Sequence, residues 1–115
     1  MSRFGHREHL ELAYTAVRRY RMPAAVERVC DHLRQLTQYA GKPQKYHHTV
    51  SQAWVELVAY HVNDASTFDG VLERNPALLD KRLLMRHYRS ATLASAGARR
   101  AWCPPDLRSF PHSPQ

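Results

Sequence analysis

Apolar positions recur every three or four residues along most of this chain, which predicts helices and no strands. From His6 to Tyr20 the face is His6, Leu10, Ala13, Val17 and Tyr20, with His9 beside it, three residues after His6. Met22-Pro23 interrupts this segment, and Pro23 suits the first turn of a second helix running from about Pro23 to Tyr39. Its stripe is Ala25, Val26, Val29, Cys30, Leu33, Leu36 and Ala40, closed by the tight loop Gly41-Lys42-Pro43. A third helix is expected from about Tyr46 to Asn63, with His47, Val50 or Ser51, Trp54, Leu57 or Val58, and His61 on one side. So short a connection makes helices two and three antiparallel neighbours.

The last third changes character. Ser66-Thr67-Phe68-Asp69 reads as a helix start, with the helix stopped near Arg74 by Asn75-Pro76. Leu78, Leu79, Leu83 and Leu84 predict a short helix reaching about His87, and Ser95 caps a last one through Trp102. Beyond Cys103, residues 104–115 form a proline-rich tail expected to be extended and partly disordered. The expected fold is therefore all-α and a single domain over 1–115: a three-helix, up-down-up bundle wrapped by two or three short helices and the tail.

Composition narrows the class. At 115 residues with 43% hydrophobic and 23% charged side chains, the chain can bury one core without disulfides or a structural metal. No apolar run approaches a membrane span and the first residues lack a signal-peptide core, so the expected location is the cytoplasm. Cys30 and Cys103 form no framework and read as free thiols of a reducing compartment. The net charge is +7, and arginine supplies fourteen of the seventeen basic residues. Clusters at Arg18, Arg19 and Arg21, at Arg82, Arg86 and Arg89, and at Arg99 and Arg100 would suit phosphates or carboxylates. They also fall at helix C-terminal turns, where cations complement the dipole.

The sharpest candidate chemistry is histidine. In an up-down-up bundle the first and third helices run parallel, so His6 and His9 share one end with His47. Residues three apart on a helix face the same way, and three imidazoles can hold a metal with an open position. Helix N-terminal dipoles disfavour imidazolium and leave the rings able to coordinate. Such a set suits Zn, Fe or Cu, without choosing among them. His61 is excluded, because fourteen residues of helix separate it from His47 by roughly 21 Å. His48 points about 100° away from His47 and is a candidate base or exposed polar group. Lys45 and Tyr46 stand where they can reach a substrate, His87 is placed to cap the site, and Tyr14 and Trp54 read as core. Glu8, Glu11 and Glu56 look solvent-facing.

Phe4-x-His6-x-x-His9 with Leu10-x-Leu12-Ala13, Lys45-Tyr46-His47-x-Thr49, Phe68, Asn75-Pro76-x-Leu78-Leu79-Asp80, His87-Tyr88, Leu93-x-Ser95, Ala98-Arg99 and Pro105-Asp106-Leu107 together resemble a family of small, mostly uncharacterised bacterial helical proteins. The resemblance spans nearly the whole chain and implies that His6, His9 and His47 are the family's shared histidines. It also implies an acidic residue where this chain has His48, and it brings no reaction with it.

The expected function is thus a small metal-dependent enzyme: His6, His9 and His47 as ligands of a divalent transition metal, Lys45, Tyr46 and His48 as catalytic candidates, and a small, anionic molecule as one candidate substrate. The alternative is a non-catalytic basic module docking nucleic acid or an acidic protein.

Overall fold

The computed structural model describes residues 5–63 and 67–111. Phe4 and the rest of the N-terminal lead-in, Ser66, and tail residues 112–115 lie outside the described residues. The fold is all-α, and no strand occurs among the described residues. Three long helices pack against one another: α1 (His6–Tyr20), α2 (Ala24–Tyr39) and α3 (His48–His61). Among the described residues, no helix is long and apolar enough to cross a membrane.

Each long helix follows from its sequence. α1 starts where the Gly5 N–H donates to the Glu8 carboxylate at 2.8 Å, which satisfies a backbone donor the helix cannot use. It buries Leu10, Ala13 and Ala16; the expected stripe drifts, so that Val17 is half-buried and Tyr20 exposed. It ends at Arg21, with φ 62° and ψ 173°, a backbone region that favours glycine. α2 buries Ala25, Val29, Cys30 and Leu33, but its stripe outruns the core: Leu36 and Ala40 are exposed. The helix stops in a two-bond glycine cap. Gly41, at φ 73°, donates to Gln38 O at 3.0 Å, and Lys42 N–H donates to Thr37 O at 2.8 Å.

α3 is the central element, buried nearly all round at Thr49, Ser51, Ala53, Trp54, Val55, Leu57 and Val58. α1 and α2 both pack against it, and so does the C-terminal α6. Its Thr49 hydroxyl, fully buried, donates to Ala101 O at 2.8 Å and accepts from Cys103 N–H at 3.0 Å, tying the end of the chain to the core.

The last third contains α4 (Phe68–Arg74), α5 (Ser90–Ala94) and α6 (Ala96–Arg100), with 3-10 turns at Pro76–Leu79 and Lys81–Arg86. The single helix expected from Leu78 to His87 is two turns, because the Asp80 carboxylate accepts the Arg82 N–H at 2.9 Å and starts the chain afresh. Ser95 caps as expected, accepting from Ala98 N–H at 3.1 Å, though its helix ends at Arg100 rather than Trp102. A separate one-turn helix, α5, precedes it. Residues 101–111 are irregular but anchored: Phe110 is buried against His87, Tyr88 and Trp102, and the buried Tyr88 hydroxyl donates to Cys103 O at 2.6 Å.

Candidate functional site: a cleft at the shared end of α1 and α3

The beginnings of α1 and α3 and the end of α2 line one cleft of about 1030 Å³. This is at the upper end of the size that holds small organic ligands. α1 contributes His6 and His9, and the connection into α3 contributes Lys45, Tyr46 and His47. Val50, Ser51 and Trp54 of α3 supply the adjoining wall, and Leu33 and Leu36 of α2 face them. The last third closes the remaining side with Lys81, Leu84, Met85 and Leu93. The outer part of the α2 stripe, exposed as helix surface, is thus cleft wall.

The three histidines do come to one place, and two of them are committed to the backbone. His47 is the N-cap of α3: its Nδ1 accepts the Val50 N–H at 3.1 Å. Accepting there puts the ring proton on Nε2, which donates to Leu93 O at 2.7 Å. Both ring nitrogens of His47 are engaged. His6 spends its Nε2 on Leu78 O at 2.7 Å, with its ring set edge-on to Trp54 at a centroid distance of 4.4 Å. The two imidazoles therefore pin the last third of the chain across the helix ends.

His9 is the most electrostatically perturbed of the set. Burial holds its pKa down to about 4; the neighbouring His6 adds to the lowering and a backbone contact at Ser51 opposes it. Desolvation thus keeps this ring neutral near pH 7, where helix dipoles were the expected cause.

The donor atoms do not fit a three-histidine metal as they are arranged. A ligating imidazole must offer a lone pair, and His47 has none left while it caps α3 and holds Leu93. Among the described residues, no three His, Cys, Asp or Glu side chains form a group that could hold a metal ion.

Of the other candidates, Lys45 and Tyr46 line the cleft and His48 is not part of its wall. His48 meets the site through Tyr46, whose hydroxyl lies 2.8 Å from His48 Nδ1. Arg34 donates to the same hydroxyl at 3.4 Å and lies over the Tyr46 ring, 4.8 Å from its centroid. The Tyr46 hydroxyl is thus held between a guanidinium and an imidazole. Burial, followed by contact with Cys30, pushes the Tyr46 phenol above its usual range, and burial followed by the Arg34 charge lowers His48. Both groups therefore stay neutral near pH 7.

His87 does not cap the cleft. It is buried elsewhere, its Nδ1 donating to Arg108 O at 2.8 Å beneath the Phe110 ring, so its function is to dock the tail. His61 stacks edge-on with Tyr60, apart from the other candidates. Trp54 is both core and cleft wall, and Tyr14 packs on Phe68. Glu8 caps α1, Glu11 is exposed, and Glu56 is half-buried and accepts from Gln52.

The arginine clusters are spent in part on local contacts: Arg18 donates to the Tyr14 hydroxyl, Arg82 pairs with Asp80, and Arg99 donates to Gln44 O. Sequence reasoning missed Lys42 and Lys81 as cleft residues. The available signal was the scarcity of lysine, three residues against fourteen arginines, all three of which line this cleft. No protein family, curated protein or solved structure matches the chain.

Proposed function

We propose that this chain binds a small organic molecule in the cleft, with His9 and His6 on the wall as the proton-handling groups and Lys45 and Tyr46 as substrate contacts. The observation that carries this reading is convergence. Side chains from all three long helices and from the last third of the chain meet in one cavity of ligand size, lined by apolar groups and a few polar ones. A neutral imidazole beside a bound molecule accepts a proton or donates one according to its tautomer. Tyr46, braced by Arg34 and His48, offers a fixed hydrogen-bonding group in the same wall.

The test is a fragment titration followed by imidazole and indole resonances in NMR, using acids, amines and neutral compounds alike. Perturbation centred on His6, His9 and Trp54 is the expected result. If no fragment of any charge moves these signals, the cleft is not a binding site.

A metal-dependent reaction is the second reading, supported by the fact that His6, His9 and His47 all line the cleft. It requires His47 to turn away from Leu93 and Val50. Elemental analysis of tag-free protein, with His9→Ala as control, decides it: stoichiometric Zn, Fe or Cu that disappears in the control favours the metal.

A further inference from the structure

We infer that the ligand of this cleft is an amphipathic organic anion, a carboxylate or phosphate head on an apolar body, with Lys42, Lys45 and Lys81 receiving the head. This rests on the reading of the cleft as a small-molecule site.

Three observations converge on that chemistry. The first is charge: all three lysines of the chain line the cleft, and no Asp or Glu is among the described residues that line it. Nor does any of the three make an ion pair with a described residue, whereas Arg7, Arg34 and Arg82 are all paired with aspartates. Three cationic groups that no described carboxylate pairs are therefore gathered at one opening. They also come from separate segments of the chain. Lys42 and Lys45 flank the turn between α2 and α3, where the Gly41 cap directs the chain, and Lys81 begins a turn of the last third.

The second observation is the apolar surface beside those charges. Leu36 is 36% and Met85 44% exposed, and both line the same cleft. Large apolar side chains left open to water beside a cavity mark a surface with something to bind. Deeper in, Trp54 is 2% exposed and forms part of the wall. A simple inorganic anion would leave this surface wet, and a neutral hydrocarbon would leave the lysines unused. Only a molecule with both parts uses both features.

The third is the choice of cation. Lysine carries a compact charge on a long flexible stem, which suits an exposed head group approached from several sides. Its stem can also lie along apolar surface while the charge stays in water.

The test follows Trp54 fluorescence in a Trp102→Phe background, which leaves one tryptophan, in the cleft wall. Decanoate, decyl phosphate, decanol and decyltrimethylammonium are titrated below their micelle concentrations. Both anions are expected to bind more tightly than the alcohol and the cation, and added salt is expected to weaken them selectively. Hexanoate should bind more weakly than decanoate, by up to about fourfold per methylene removed. Replacing all three lysines (Lys42→Gln, Lys45→Gln, Lys81→Gln) should cost decanoate roughly tenfold in affinity and leave decanol unchanged. These side chains are exposed, so the melting curve of the triple variant serves as a folding control.

The inference is overturned if decanol or the ammonium compound binds as well as the anions. It is overturned equally if a folded triple variant keeps full decanoate affinity. In either case the cleft still binds small molecules and the reading it rests on survives. That reading fails separately, if none of the four compounds changes the Trp54 signal and the fragment titration is also silent.

Discussion

The buried imidazole of His9 makes stability depend on pH in a defined window. Its folded pKa is held down to about 4, against 6.5 for the unperturbed group. Protons therefore bind the unfolded chain more tightly than the folded one, and each step below the unfolded value favours unfolding. The His9 contribution is fully present above pH 6.5 and is lost as the pH falls toward 4. From those two values the loss is about 2 kcal/mol by pH 5 and about 3 kcal/mol by pH 4, a large part of the stability of a domain this size. The assay is urea denaturation of the wild type and His9→Gln between pH 7 and pH 4. Glutamine is polar but does not titrate, so the variant should unfold at lower urea at pH 7 and show a flatter pH profile. His48 and His61, both also lowered chiefly by burial, add the same slope to both proteins and cancel in the difference. Parallel pH profiles would refute the reasoning, as would a His9 ring that titrates near 6.5 by NMR.

Substitutions at three further positions test the packing. Thr49→Val keeps shape but removes the hydroxyl that joins Ala101 O and Cys103 N–H; it should cost about 2–4 kcal/mol in chemical denaturation and loosen the tail first in hydrogen exchange. His47→Ala removes both the α3 cap and the donor to Leu93 O, at about 2–4 kcal/mol, while His47→Asn should recover about 1 kcal/mol through capping alone; equal losses in the two variants would show that the cap contributes nothing. Arg21→Gly relieves a backbone region that favours glycine and should stabilise the protein by about 1 kcal/mol, seen as a raised melting temperature.

What was legible in the sequence was what local periodicity encodes. The three long helices and the Gly41 stop came from the spacing of apolar side chains and one turn residue. The excluded His61 came from helix rise alone. Side-chain capping set the less legible boundaries: Asp80 splits the Leu78–His87 segment into two turns, and His47 caps α3 at a position more often filled by Ser, Thr, Asp or Asn. The candidate site divided along the same line. The meeting of His6, His9 and His47 at one cleft follows from helix direction. Which ring nitrogens remain available depends on Leu78 O and Leu93 O, backbone atoms far along the chain that no side-chain pattern marks. Lys81 and Met85 are invisible for the same reason, because only the folded path of the last third brings them opposite Lys42 and Leu36.

The two histidine pins give that path a thermodynamic meaning. His6 to Leu78 and His47 to Leu93 join residues 72 and 46 positions apart, so each closes a long loop and is lost together with the docking of the last third. Local unfolding of the last third would bare the face of α3 that α6 covers and turn the cleft into an open groove. Occupancy of the cleft and attachment of the chain's end are thereby one linked equilibrium: whatever fills the cavity also slows exchange of backbone amides from Leu78 to Cys103.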